Sequence, residues 1–379
     1  MKIVIASDKF KGSLTSSEVA DAISEGIRTV FPSCKIAKVS VADGGDGTAQ
    51  IITDSLQGIV RETETFDALR RLVTSNYGIV NNDTAVIDIA SASGLAMLKP
   101  EERNPMSTST FGTGLLIRDA IDLGMRKFLI GVGGSATNDG GIGLLSALGF
   151  IFRNQEGCPL PPSGKSLNEI CEIDDSAVIP ELWECQFDIL CDVDAHFYGP
   201  QGAACVFAPQ KGASPDEVIT LDNGLRNFAK IIRQYNGKNV QDVPYAGAAG
   251  AAGGGMWALI NARLRPGIGT MLDTIGFEDI IEGADLVITG EGAVDRQTFM
   301  GKTPYGVAMA ANAKNIPTIL LAGSVNAFGY QDDNPFAGVY SIQPRPVDLQ
   351  TALQKEFAYD NLRYTAEQIF RTLKAVGIY

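Results

Sequence analysis

Residues 2–48 read KIVIASDKFKGSLTSSEVADAISEGIRTVFPSCKIAKVSVADGGDGT, and this stretch decides the fold. Lys2–Ala6 is a short β-branched and apolar run that ends at the polar Ser7-Asp8-Lys9, which predicts a strand. Thr15-Ser16-Ser17-Glu18 has capping-box spacing, in which hydroxyl and carboxylate each cap the other's backbone N–H. Val19, Ile23, Ile27 and Val30 follow at helical spacing, and Pro32 stops the run. Ile36–Val41 is a second strand, followed by the glycine-rich loop Ala42–Thr48 and a helix to Leu56. The order β-α-β-α predicts a parallel sheet.

Farther along, Arg71–Val80 and Thr84–Ile89 flank the turn Asn81-Asn82-Asp83 and predict a hairpin. A helix is expected over Thr110–Leu123 and a strand over Lys127–Val132. Residues 153–182 read as irregular, with Pro159, Pro161 and Pro162. Phe187–Val193 predicts a strand, and Ser214-Pro215-Asp216-Glu217 opens a long helix. Ala246–Gly255 reads as a small-residue stretch leading into a helix over Met256–Arg263. The alternation resumes with Asp285–Thr289 (strand), Pro304–Lys314 (helix), Thr318–Ala322 and Val339–Ile342 (strands) and Tyr359–Val376 (helix). The middle, 81–283, differs in texture from both ends and is expected to be an insertion.

The chain's 379 residues suit two domains. With 31 Lys+Arg against 44 Asp+Glu, the net charge is −13, which argues against nucleic acid and anionic lipid as partners. The single histidine, His196, makes any His-dependent catalysis hang on one residue. Six cysteines without a C-x-x-C pair predict reduced thiols. The N-terminal run is a strand, not a signal peptide. Val243–Ala262 is uncharged but rich in Gly and Ala, unlike a membrane span. A soluble cytoplasmic protein is expected, and a homo-oligomer is compatible with the sequence.

The chemistry-bearing residues lie in loops past strand ends, where parallel sheets bind ligands. Asp8, Lys9 and Lys11 put a carboxylate and two cations on one loop, and the helix behind adds N–H donors suited to an anion. Asp43 and Asp46 among glycines suit Mg²⁺, which takes few protein ligands. Gly131–Ala136 matches G-x-G-x-x-A, but the ribose-binding acid about 20 residues on is missing. The loop continues to Gly141, and its exposed N–H groups suit phosphate or carboxylate. Thr289–Asp295 is another loop past a strand. Gly301-Lys302-Thr303 looks like half a Walker motif and fails as one, because Arg296 stands where the first glycine belongs. Asp192 ends a strand four residues before His196.

Together these residues resemble the bacterial glycerate kinases of the glycerate 2-kinase type. The carriers are Asp8 with Phe10-Lys11-Gly12-Ser13, Ala42–Thr48, Glu102-Arg103-Asn104-Pro105, Gly133–Gly141, Cys191-Asp192-Val193, Gly199-Pro200, Pro209-Gln210-Lys211-Gly212, Gly247–Gly255, Arg265-Pro266-Gly267 and Gly290-Glu291-Gly292 with Asp295. Each is weak alone, and their order over the whole chain is specific. The chain departs from the family at Ser7-Asp8-Lys9 (Pro-Asp-Ser is usual), at Asp46 (usually Glu) and at Asp194-Ala195-His196 (usually Thr-Asn-Pro).

The resemblance implies ATP- and Mg²⁺-dependent phosphorylation of D-glycerate. It also implies two α/β domains about a cleft, a Rossmann-like parallel-sheet domain of residues 1–80 plus 284–379 with an inserted α/β domain of 81–283. On this reading Asp192, Asp8 and Lys11 are catalytic, with Asp192 nearest the acceptor hydroxyl. Lys9, Ser13, Gly133, Gly134, Ser135, Asn138, Asp139, Gly253 and Gly254 bind phosphate, nucleotide or substrate. Asp43, Asp46, Glu291 and Asp295 are the metal candidates. A nicotinamide oxidoreductase built on Gly131–Ala136 and a non-catalytic sugar-acid-binding protein are the alternatives.

Overall fold

The computed structural model describes every residue except Asp46, Asp192, 327–333 and 378–379, and leaves the side chain of Met300 undescribed. Its strands are β1 (Lys2–Ser7), β2 (Lys35–Ser40), β3 (Ile59–Phe66), β4 (Leu72–Val80), β5 (Thr84–Asp88), β6 (Lys127–Gly131), β7 (Ile151–Arg153), β8 (Glu172–Asp174), β9 (Gln186–Cys191), β10 (Arg263–Pro266), β11 (Leu286–Val294), β12 (Thr318–Val325) and β13 (Gly338–Ser341). The chain divides into two units, one of Met1–Asp43 with Ile268–Tyr379, the other of Gly44–Gly267.

The first unit carries a five-stranded sheet in the order β13-β12-β11-β1-β2. Every neighbouring pair in it is parallel. The apolar face predicted from the opening residues is real: Val19, Ile23 and Ile27 are fully buried on the helix Ser16–Val30, against Ile3 and Ile5 of β1. The capping box holds as well, with Thr15 and Glu18 bonded reciprocally. The closing helix Lys355–Ala375 buries Leu362 and Phe370 against the same core. The two helices touch at Gly26, where a Cβ would stand 2.2 Å from the Arg363 carbonyl oxygen.

The second unit carries a six-stranded sheet in the order β10-β9-β6-β5-β4-β3. β5, β6, β9 and β10 run parallel, and β3 and β4 are antiparallel additions. Its core joins Phe128 and Phe187, whose rings stack at 4.7 Å, to the helices Phe111–Asp122 and Pro215–Asn236. Among the described residues no helix is long and apolar enough to cross a membrane.

Four local expectations differ from the structure; the simplest is 153–182, read as irregular, where β8 pairs antiparallel with β7. The first unit's opening segment ends at Asp43 and the unit resumes at Ile268, whereas the sequence suggested 80 and 284. The reason is that the helix Thr48–Ser55 packs on the second sheet, with Thr53 against Gly58 and Gly78, and the β3–β4 hairpin extends that same sheet. β11 runs to Val294 because β12 offers a ladder to its end, pairing Glu291 with Ala322 and Ala293 with Ser324 despite weak local β propensity. Finally, Ala246–Gly255 is mostly helix. The helix Ala248–Ile260 begins with a left-handed turn at Ala249, Gly250 and Ala251, and Arg263 belongs to β10.

Gly26→Ala overpacks the helix contact and is expected to cost about 1–3 kcal/mol. Gly269 has open space at its Cβ position in the helix Gly267–Thr274. Gly269→Ala should be neutral or gain up to about 1 kcal/mol from helix propensity. Urea midpoints of the two variants check the contrast.

Candidate active site

In the first unit the chain leaves β1 toward β2 on one side, while β11 leads to β12 on the other. The carboxyl ends of β1 and β11 therefore form the switch point of the sheet, where doubly wound folds bind ligands. Asp8 follows β1 directly, and its N–H donates to the Gly290 carbonyl of β11 at 3.2 Å. Phe10, buried, packs its ring over Gly290, where a Cβ would lie 3.1 Å from it. This packing fixes the Asp8–Phe10 loop across the end of β11, beside Glu291.

Both carboxyls are out of their ordinary range. Burial pushes Asp8 up to about 6, the Asp43 charge adds to the push, and the Lys9 N–H, donating at 2.6 Å, opposes it. Burial pushes Glu291 up to about 7. The Thr298 hydroxyl, donating at 2.7 Å, and the Lys302 charge oppose this, while Asp295 and Asp8 add to it. The hydroxyls of Ser7, Ser13 and Thr289 are buried without a hydrogen-bond partner. The switch point is thus an under-satisfied polar site.

Lys302 and Thr303 also belong here. Thr303 is placed with its hydroxyl 3.5 Å from the Asp8 carboxylate, at the start of the helix Thr303–Asn312. No side chain caps that helix, and Pro304 carries no N–H, so the Thr303 and Tyr305 N–H groups at its start have neither an intrahelical nor a capping partner. The Gly301-Lys302-Thr303 signal was present in the sequence and failed only as a Walker motif. By contrast, the helix Ser16–Val30 already spends the Thr15 and Glu18 N–H groups in its own capping box. Lys9 and Lys11 are exposed on the Asp8 loop.

The metal candidates separate. Asp43 is close enough to Asp8 to raise it, and Glu291 lies at the switch point. Asp295 has a structural use, accepting from the Gln297 N–H at 2.8 Å with Lys302 4.0 Å away. Asp46 and Asp192 lie outside the described residues. Among the described residues no three His, Cys, Asp or Glu side chains gather to hold a metal alone.

The second unit assembles a different cluster around Asp139. This side chain is fully buried and turned inward. It accepts from the Thr110 N–H (2.8 Å), the Thr110 hydroxyl (2.9 Å), and the N–H groups of Gly141 (3.1 Å) and Gly143 (3.2 Å). Burial pushes its carboxyl up, and these donors pull it back. Asp139 therefore braces the glycine loop from within. Lys211, also buried, donates to the Ser135 hydroxyl (2.9 Å) and the Thr137 carbonyl (2.7 Å). The Thr137 hydroxyl and both ends of the Asn138 amide are buried without partners.

The glycines do different work from that expected. A Cβ at Gly133 would stand 2.5 Å from the Gly45 Cα, and one at Gly131 would stand 2.6 Å from an Asp88 carboxylate oxygen. Asp88, read only as part of a strand, accepts from the Gly47 and Ala49 N–H groups at 2.9 and 3.1 Å. It fills the N-terminus of the helix Thr48–Ser55, which a phosphate would otherwise want. Gly134 takes φ +72° and its carbonyl accepts from Leu95. Gly254 makes room for the Phe197 ring, which a Cβ there would meet at 2.5 Å, whereas a Cβ at Gly253, in the same helix, would make only ordinary contacts, the nearest with Leu264 at 3.4 Å. The dinucleotide pattern at Gly131–Ala136 also lacks its helix, because the next one opens only at Ile142. His196 is exposed, and its backbone pairs with Gln201 and Ala203.

A family model described as "Glycerate kinase family" matches residues 3–374. Among curated proteins, the glycerate kinase of Haemophilus influenzae is 42% identical over 98% of this chain and 99% of its own length. The glycerate 2-kinase of Escherichia coli K12 is 40% identical over 100% and 99%. A crystal structure from Salmonella typhimurium LT2, assigned as glycerate kinase 2, superposes with a TM-score of 0.87 at 40% identity, covering 99% of each chain.

Glu291 yields a pH prediction. A carboxyl whose folded pKa is raised lowers stability as pH climbs from its unfolded value, near 4.5, through about 7. Without divalent cation, Glu291→Gln should therefore raise the thermal midpoint at pH 8, by up to ~3 kcal/mol of stability. The gain should fade toward pH 4, and thermal melts across that range check it.

Proposed function

Because the chain belongs to the glycerate kinase family, it is a kinase, and we propose that it transfers the γ-phosphoryl group of ATP to the 2-hydroxyl of D-glycerate, giving 2-phosphoglycerate and ADP. One observation carries the reading of the donor side: two desolvated carboxyls, the half-buried Asp8 and the buried Glu291, stand at the switch point beside an uncapped helix N-terminus. Phosphoryl transfer needs this kind of setting, with cations and N–H donors for the phosphates and carboxylates for the metal.

Mg²⁺ fits these residues. Asp8 and Glu291, with Asp43 beside Asp8, are desolvated carboxyls that a divalent cation would hold ionised. One or two protein carboxylates are enough when nucleotide phosphates complete the shell. When bound, Mg²⁺ neutralises charge on the transferring phosphoryl group. Lys302, Lys11 and Lys9 supply positive charge to the phosphates in a protein of net charge −13. The Thr303 hydroxyl and the first N–H groups of its helix orient them, and Ser13 adds a hydroxyl donor.

The acid acceptor is assigned to the Ser135–Asn138 segment, where polar groups stand unpartnered next to a buried ammonium. Asp192 is proposed as the carboxylate that accepts the hydroxyl proton, which becomes acidic only late in a loose transition state.

The purified protein should form ADP and 2-phosphoglycerate from ATP and D-glycerate only with Mg²⁺. A coupled ADP assay and phosphorus NMR of the product check both points, and a 3-phosphate would overturn the regiochemistry. Glu291→Gln should raise the Mg²⁺ requirement. Lys11→Ala should lose more activity than Lys9→Ala at equal folded fraction. Asp192→Asn should cost about 10²-fold in kcat or more, and His196→Asn less than about tenfold.

A further inference from the structure

Lys211 lies in Pro209-Gln210-Lys211-Gly212, and its ammonium is the buried cation beside the segment assigned to the acid acceptor. Its ammonium is almost wholly out of water, with a side chain 3% exposed. A neutral side chain of similar length would fill this space without the desolvation cost of a buried charge. The ammonium adds charge and donors, and both are aimed at one segment. It donates to the Ser135 hydroxyl at 2.9 Å and to the Thr137 carbonyl at 2.7 Å.

These two bonds fix what lies between and beside them. Ser135 accepts from Lys211 through its oxygen, so its own proton points elsewhere and is free to donate. A hydroxyl polarised by an ammonium is a strengthened donor toward an anion. Next to it, the Thr137 hydroxyl and the Asn138 amide are fully buried with no partner. Buried polar groups in native proteins are nearly always paired, so an unpaired cluster signals a partner still to come.

The segment cannot relax away. The left-handed turn at Ala249, Gly250 and Ala251 is pressed on it, and a Cβ at Gly250 would stand 2.1 Å from the Thr137 carbonyl oxygen. Behind it, Asp139 is bound by four donors. A further contact comes from Gly212, next to Lys211, where a Cβ would lie 2.1 Å from the Arg103 carbonyl oxygen.

We propose that Lys211 is the positioning residue for the acceptor's carboxylate: it holds Ser135 as a charged-field hydroxyl donor that receives the acid group. The inference rests on the reading that the Ser135–Asn138 segment takes the acid acceptor. Burial pulls the ammonium down to about 7, with the Asp139 charge opposing, so this cation gains most from an anion brought near.

The test compares wild type, Lys211→Met and Lys211→Arg with D-glycerate and its neutral amide, glyceramide, at saturating MgATP. Lys211→Met should raise the KM for D-glycerate about tenfold or more and leave the KM for ATP within about threefold. It should shrink the preference for acid over amide by the same factor, which a merely structural loss would not do. Lys211→Arg should recover part of the preference. Should Lys211→Met fail to fold, Ser135→Ala carries the test with the same expected split, since it leaves the bond to Thr137 intact. An unchanged KM for D-glycerate, or a rise matched by that for ATP and for glyceramide, overturns the proposal. A wild type that turns over no D-glycerate sinks the functional reading and this inference together. A working wild type with an unsplit variant sinks the inference alone.

Discussion

The parallel pairing of β1 with β11 joins Ile3 to Leu286 and Ile5 to Ile288, bringing the two ends of the chain side by side. Everything at the switch point depends on it. Asp8 acquires its place through the N–H bond to Gly290, and Glu291 stands at the site because its strand is the partner of β1. The pairing is also why an entire second sheet can be inserted at this point in the chain. A strand that returns after so long a loop bears only a slowly growing closure cost. The fully buried Ile3, Ile5 and Ile288 hold the two strands together.

The buried charges of the two units contrast in a way that separates structure from chemistry. Asp139 meets four donors at ordinary hydrogen-bond distance, and its loop is braced. Glu291, also buried though less completely, meets one side-chain donor, Thr298. Asp8 has the Lys9 N–H and a 3.5 Å contact to Thr303. A carboxylate with a full set of donors needs nothing more; one with few is costly unless a cation arrives. Both kinds look alike in the sequence, where an Asp or Glu follows a strand among glycines. Only the count of donors tells them apart.

That limit marks how far the sequence could be read. The β-α-β-α opening, the capping box at Thr15, the helix start at Ser214 and the strands of both sheets except β3 and β10 were legible, because each rests on local pattern. The extension of β11 to Val294 was not, because Gly290-Glu291-Gly292 is poor strand material and owes its conformation to pairing with β12. β3 was missed for a related reason: Ile59–Phe66 alternates polar and charged residues, and only the hairpin to β4 makes it a strand. At the site, Asp8 and Glu291 were legible as strand-end acids, whereas Lys211 was seen only inside a motif, Thr303 only in a failed Walker match, and Asp88 only as part of a strand. Each of those three matters through a partner distant in sequence.

The glycines make the same point from the opposite direction. The surplus around residues 131–141 suggested N–H groups open to a phosphate, and the glycines of 44–47 a loop around Mg²⁺. In the folded chain, Gly133 lets its backbone meet Gly45, Gly131 clears Asp88, and Asp88 occupies the helix N-terminus that would have drawn an anion. The loop that does present an uncapped helix start is Gly301-Lys302-Thr303, where the motif match was incomplete. An anion is bound by unspent donors and unpaired charge, not by a spacing of glycines. A pattern can therefore be satisfied where the donors are already used, and fail where they are free; the helix starts at Thr48 and Thr303 are one case of each.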